Sequence, residues 1–143
     1  MQESKHTEAI REVMQTIDEA LSSKDILIFQ RRLASMISLG LQHIVEIHLH
    51  RLNVIKPGAY VKHDWFFMGD RNLKTKFSTI ISKPYEKIKN INEIVSLARS
   101  IEADRNEILY GAPLADGKRL REKIDCFLEI KKIIEETGEI NES

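Results

Sequence analysis

The chain has 143 residues, 42% hydrophobic and 31% charged, with 22 basic and 22 acidic side chains that balance to zero. That make-up fits one domain with a single core and reads as soluble and globular rather than disordered. No apolar run approaches the roughly 20 residues needed to cross a bilayer, and the polar opening MQESKHTEAI does not read as a signal peptide. The single cysteine, Cys126, excludes an internal disulfide and a zinc finger and points to a reducing, cytoplasmic setting.

In chain order, the spacing of apolar residues predicts a first helix over Thr7 to Leu21, with Ile10, Val13, Met14, Ile17 and Leu21 on one stripe. Ser22-Ser23-Lys24-Asp25 then resembles a capping box with Asp in place of Glu. The second helix is predicted to be the longest, Lys24 to Leu52, about 42 Å at 1.5 Å per residue. Its apolar residues, among them Ile26, Leu33, Ile37, Leu41, Ile44 and Ile47, cover more than one face, so neighbours are expected on several sides. Gly40 lies within it at a cost of about 1 kcal/mol relative to Ala, which a close helix crossing would explain.

From Asn53 to Asp70 the periodicity breaks, with turn signals at Pro57-Gly58 and Gly69-Asp70. Four of the nine aromatic residues fall in this irregular loop: Tyr60, Trp65, Phe66 and Phe67. They are expected to plug one end of a bundle, or else to form a base-stacking platform beside Lys56, Lys62 and Arg71. Between Lys56 and Lys89 eight basic residues face only three acidic ones. The segment reads as a solvated surface or as a polyanion-binding face. A short helix is predicted over Arg71 to Ile81, and Ser82-Lys83-Pro84 ends it.

A fourth helix is expected to begin near Tyr85 or Asn90 and run without interruption to Tyr110-Gly111. Its stripe is Ile91, Ile94, Val95, Ala98, Ile101 and Ile108. Gly111 suits a left-handed cap. After GAPLADG, Asp116 is placed to cap a final helix from Lys118 to about Thr137, and the tail 138–143 is expected to fray. No stretch alternates like a strand; AYV and DWFF are the only short candidates. The reading is all-α: residues 1–143 form a single domain, an antiparallel up-and-down bundle of four to five helices.

The most function-like feature is Arg105, which falls where the stripe calls for another Ile or Leu, followed by Asn106 and, at the helix end, Tyr110-Gly111. A guanidinium turned toward a core or an interface is costly unless paired or used. These residues resemble the signature of HEPN domains, small helical proteins whose late helix bears an Arg, a polar residue and a His four to six positions beyond. The resemblance implies a HEPN-like bundle, joined as a homodimer through the motif helices, that cleaves RNA without a metal or cofactor. In that scheme the His activates the ribose hydroxyl and the Arg steadies charge on phosphorus. It further implies a toxin–antitoxin or defence pair, with a nucleotidyltransferase as partner. Here Tyr110 stands where the family's His belongs, and no His follows His63. Tyr, with a pKa near 10, is poorly matched to a base's task. A degenerate relative that binds RNA or a nucleotide without cutting is therefore a parallel expectation. So is a non-catalytic homodimeric interaction module in which Arg105 pairs with Asp25 or Glu46 and fixes helix register.

Two further groups invite comment. His43, Glu46 and His50 share a face of the second helix at i, i+3 and i+7. A metal is conceivable there, but no matching Glu-x-x-His lies on another helix, so an ordinary polar face is the expectation and no metal is assigned. His48 and His63 are expected in solvent or loop; if dimerisation or folding brings one near Arg105, it supplies the missing base. Cys126, on an apolar stripe, reads as a small core residue rather than a nucleophile.

Overall fold

The computed structural model describes the backbone of residues 3–142 and the side chains of residues 5–137. Six α-helices follow one another: α1 Glu3–Ser22, α2 Gln30–Arg51, α3 Asp70–Ser78, α4 Ile91–Glu102, α5 Arg105–Tyr110 and α6 Lys118–Glu142. Short 3₁₀ turns sit at Ile26–Phe29, His63–Phe67 and Tyr85–Lys87. Among the described residues there is no strand, only one antiparallel bridge between Ile55 and Ile81. No helix among them is long and apolar enough to cross a membrane.

The four long helices run alternately up and down. Glu19 faces Arg32, and His6 faces His43 and Glu46, so α1 and α2 are antiparallel. Ser38 meets Glu102 while His48 meets Lys89, which opposes α2 and α4. Lys123 meets Ile101 while Thr137 meets Asn90, which opposes α4 and α6. The expected antiparallel all-α bundle is what the chain forms.

The bundle closes on α2, which packs against α1, α4, α5 and α6. Leu33, Ile37, Leu41, Ile44 and Leu49 are buried on its several faces. At Gly40 a β-carbon would stand 2.9 Å from the Phe127 ring and 3.1 Å from Val13 Cγ1, so the glycine marks where α1, α2 and α6 cross. The aromatic loop divides in two. Trp65 and Phe66 are buried against Phe77, with ring centroids at 5.4 and 6.2 Å, and Tyr85 completes the plug at 5.8 Å. Tyr60 and Phe67 stay 58% and 50% exposed.

Several expected boundaries move. Asp25 caps its own 3₁₀ turn by accepting from Leu27 N at 3.0 Å, and Ser23 Oγ donates to Ala20 O, so no capping box forms and α2 starts at Gln30. Asp116 does cap α6, accepting from Lys118 N at 3.0 Å. That helix runs past Thr137 to Glu142, through the tail expected to fray; Ser143 lies outside the described residues. Gly111 is extended (φ −97°, ψ −162°) rather than left-handed.

The largest departure is inside the predicted fourth helix, which breaks between α4 and α5. Ala103 is extended at ψ 132°, and Asp104 takes a left-handed φ of +63°, a region that Asp visits more readily than most residues. The break is held from α6. The buried Lys123 ammonium donates to the carbonyls of Ser100 (3.2 Å), Ile101 (2.7 Å) and Ala103, so it caps the C-terminal end of α4 with charge of the right sign. Arg119 adds an ion pair to Asp104 at 3.1 Å.

Two stability measurements check this account. Gly40→Ala should gain about 1 kcal/mol of helix propensity but lose about 1–3 kcal/mol to overpacking, giving a lower denaturant midpoint. Lys123→Met should cost at least about 2 kcal/mol in the same assay, because three carbonyls lose their buried donor. An unchanged midpoint in either variant would contradict the packing described.

Candidate functional site

On α2 the residues Ser38, Gln42 and Glu46 recur every four positions and form a polar stripe within an otherwise apolar helix. Each holds part of the irregular half of the molecule. Ser38 Oγ donates to Glu102 Oε1 at 2.7 Å, at the end of α4. Gln42 Oε1 accepts from the His63 backbone N–H at 3.1 Å, and Glu46 Oε1 accepts from the Val61 N–H at 2.6 Å. From α4, Arg99 closes the loop's far side by donating to the carbonyls of Phe66 (3.1 Å) and Met68 (2.6 Å) and to Asp70 at 2.9 Å. The loop is therefore pinned at both ends of its 3₁₀ turn.

That pinning sets His63 over Glu102. The Glu102 carboxyl is fully buried, with Oε2 3.3 Å from His63 Nδ1. Burial pushes its pKa up; the Ser38 hydroxyl, His63 and the Arg105 guanidinium pull the other way and offset this only in part. His63 itself is half-buried. With Nδ1 turned to the carboxylate, Nε2 is the nitrogen left for a reacting group, and the carboxylate fixes tautomer and ring orientation. Exposed Phe67 stands edge-on to the imidazole at 6.4 Å, and Lys62 lies 5.7 Å from the centroid of exposed Tyr60.

Arg105 also belongs to this group. It is half-buried at the first position of α5, directly after the break, and its charge acts on Glu102. Nη1 donates to Asn106 Oδ1 at 3.0 Å, while Nε is buried with no hydrogen-bond partner among the described residues. The expected pairing with Asp25 or Glu46 does not occur among the described residues. Asp25 caps its own turn, and Glu46 faces Val61 and His6. Tyr110, at the other end of α5, is 81% exposed and shares no hydrogen bond with Arg105 among the described residues. Glu102 thus meets His63 directly and feels the Arg105 charge, Asn106 is held only by Arg105, and Tyr110 stands apart.

A second cluster lies one turn further along α2. His43 and Glu46 meet His6 of α1, with His6 Nδ1 2.9 Å from His43 Nδ1 and His6 Nε2 3.3 Å from Glu46 Oε2. One ligand atom from each of these three residues lies within 4.8 Å of the others. His50 stands beside them, its ring 5.5 Å from that of His6. Burial raises the Glu46 carboxyl against the Val61 hydrogen bond and lowers the His43 imidazole. Gln42, His43 and Glu46 form one wall of a cavity of about 330 Å³, and the loop residues Gly58 to Val61 form the other.

Other single residues resolve simply. His48 is not in solvent: it is buried, and its Nε2 lies 2.8 Å from the Lys89 carbonyl. Cys126 is half-buried and burial pushes its thiol up, away from nucleophilic reactivity. Comparison of the chain with protein-family models, curated proteins and solved structures yields no match.

The Glu102 carboxyl gives this site a pH signature. Its folded pKa is raised, so its contribution to stability is full below the ordinary value of 4.5 and is lost as the pH climbs through the folded value. Chemical unfolding of the wild type and Glu102→Gln across that range should show the variant gaining on the wild type as pH rises. A difference that is flat, or that slopes the other way, would mean the carboxyl is not held in its raised state.

Proposed function

We propose that the chain is an RNA-directed protein that cleaves RNA without a metal, using His63 as general base and Arg105 as the phosphate-steadying cation. The observation that carries this reading is the one carboxylate, Glu102, that bears on both residues. The resemblance to HEPN domains supplies an Arg and lacks a His. His63 supplies an imidazole, with a buried carboxylate behind it, from elsewhere in the chain. The unpartnered Nε of Arg105 is in keeping with a guanidinium that awaits an anion.

In this scheme His63 Nε2 takes the proton of a ribose 2′-hydroxyl, and the oxygen attacks the adjacent phosphorus. Charge gathers on the non-bridging oxygens opposite the Arg105 guanidinium, whose planar fork matches them. The bond to the 5′-oxygen breaks, that oxygen takes a proton from water, and the other strand end is left as a cyclic phosphate. Exposed Phe67, edge-on to the imidazole, and exposed Tyr60 with Lys62 over its ring would stack bases while drawing in the backbone. Asn106 holds the guanidinium, and Tyr110 has no part in the chemical step. Homodimerisation through α5, a nucleotidyltransferase partner and a role in a toxin–antitoxin or defence pair rest on the resemblance alone.

The rival reading is a non-catalytic homodimeric module, and the exposed Tyr110 at the tip of α5 favours it. Pure protein incubated with labelled single-stranded RNA in excess EDTA separates the two. Cleavage with cyclic-phosphate ends is expected. His63→Ala and Arg105→Ala should each lower the rate by about a hundredfold or more, with unchanged helical content, and Tyr110→Phe should be nearly silent. If no RNA is cut or bound, and Arg105→Ala instead dissociates a dimer, the module reading replaces this one.

A further inference from the structure

Beyond the His63–Arg105 group, we propose that His6, His43 and Glu46 form a binding site for a divalent metal ion of the zinc class. The sequence places His43 and Glu46 one turn apart on α2 and offers no partner from another helix. The fold supplies it, because α1 runs antiparallel to α2 and lays His6 over that turn. The residue types suit a borderline cation, two imidazoles and one carboxylate being the donor set of many three-ligand zinc sites.

The spacings fit as well. Ligand atoms about 2.0–2.1 Å from a tetrahedral ion stand roughly 3.3 Å from one another. Here His43 lies 2.9 Å from His6 Nδ1 and Glu46 3.3 Å from His6 Nε2, on the two ring nitrogens. An ion engages one His6 nitrogen, and with one ligand atom from each residue the three lie within 4.8 Å of one another, so binding draws the set together by about 1.5 Å at most. The carboxylate is already oriented for this: Glu46 Oε1 is held by the Val61 N–H, which leaves Oε2 on the side of His6. Access is also provided. His6 is fully buried, but His43 and Glu46 line the cavity of about 330 Å³ under the Gly58–Val61 loop, and that space admits an ion and a water as fourth ligand.

A buried and a half-buried imidazole with facing nitrogens beside a carboxylate also describe a purely structural polar cluster, and that is the outcome the experiment must separate. Full-length protein is stripped with chelator, freed of it, and titrated with Co²⁺ and separately with Zn²⁺. One equivalent per chain is expected, with the visible d–d bands of low-coordinate cobalt and a rise in the thermal midpoint with zinc. His43→Ala, at a half-buried position that tolerates truncation, should weaken cobalt binding by about 10–100-fold or more while helical content is retained. Glu46→Gln should do the same, and His63→Ala should leave the bands intact. Absence of d–d bands in the wild type, or equal cobalt affinity in wild type and His43→Ala, would overturn the site and leave a structural cluster. Because RNA cleavage is assayed in EDTA and metal binding without RNA, failure of either reading leaves the other standing.

Discussion

Three side chains on α2 hold the irregular half of this protein to its regular half. Ser38, Gln42 and Glu46 lie on one stripe, and each spends its hydrogen-bonding capacity on a group that is not helical or that ends a helix. The loop over residues 53–70 has few ways to satisfy its backbone internally, and a backbone group left unpaired in the interior costs as much as a lost hydrogen bond. Gln42 and Glu46 supply that pairing at two alternate residues, Val61 and His63, which fixes which way the chain faces between them. Without these anchors, burial of Trp65 and Phe66 would still hold the loop down, but nothing would set the azimuth of His63.

Position on this molecule is therefore decided by long-range contacts acting on short segments. Lys123 and Arg119, both on α6, act in the same way at the other side of the site. They stabilise the break at Ala103–Asp104 that ends α4 at Glu102 and begins α5 at Arg105. If the helix had continued, residues 102 and 105 would have remained on one cylinder with ordinary backbone pairing. The break frees the last carbonyls of α4, which Lys123 takes up. It also puts Arg105, half-buried, at the first position of α5. A buried lysine is usually a burden on stability; here three carbonyl oxygens surround it, and the helix-end dipole reinforces them.

How much of this could be read from the residues follows from the range of the forces. The long helices were legible, since the apolar stripes of α1, α2 and α6 reflect a local periodicity. Gly40 was legible too, as a helical glycine whose explanation lies in packing. The break was not: Ile101 and Ile108 keep the helical spacing across it, and the residues that force it, Lys123 and Arg119, lie some twenty positions or fewer downstream on another helix. His6 was missed as a site residue for a like reason, and His63 was legible only as a loop imidazole that folding would have to bring to Arg105. Their partners Glu46 and Glu102 are about forty positions away in sequence, and one imidazole in a first helix or a loop carries no pattern of its own. A signal did exist on α2, where Ser38, Gln42, His43, Glu46 and His50 interrupt an apolar helix with polar residues on neighbouring positions. Read as a stripe, it would have asked what those groups face.

The two clusters built on that stripe differ in sign, and the difference follows from what lies opposite α2 at each level. Near Glu102 the neighbouring charges are Arg105 and Lys123, so the carboxylate sits among cations and the level favours an anion. Near Glu46 the neighbours are imidazoles, His6 from α1 and His43 from α2 itself, which in their neutral forms present lone pairs rather than positive charge. The carboxylate there remains the dominant formal charge, and the level favours a cation. One stripe on α2 thus touches two glutamates of opposite preference, Glu102 of α4 through Ser38 and its own Glu46, joined by the loop whose backbone binds Gln42 and Glu46. Any change that shifts the loop along α2 disturbs both together.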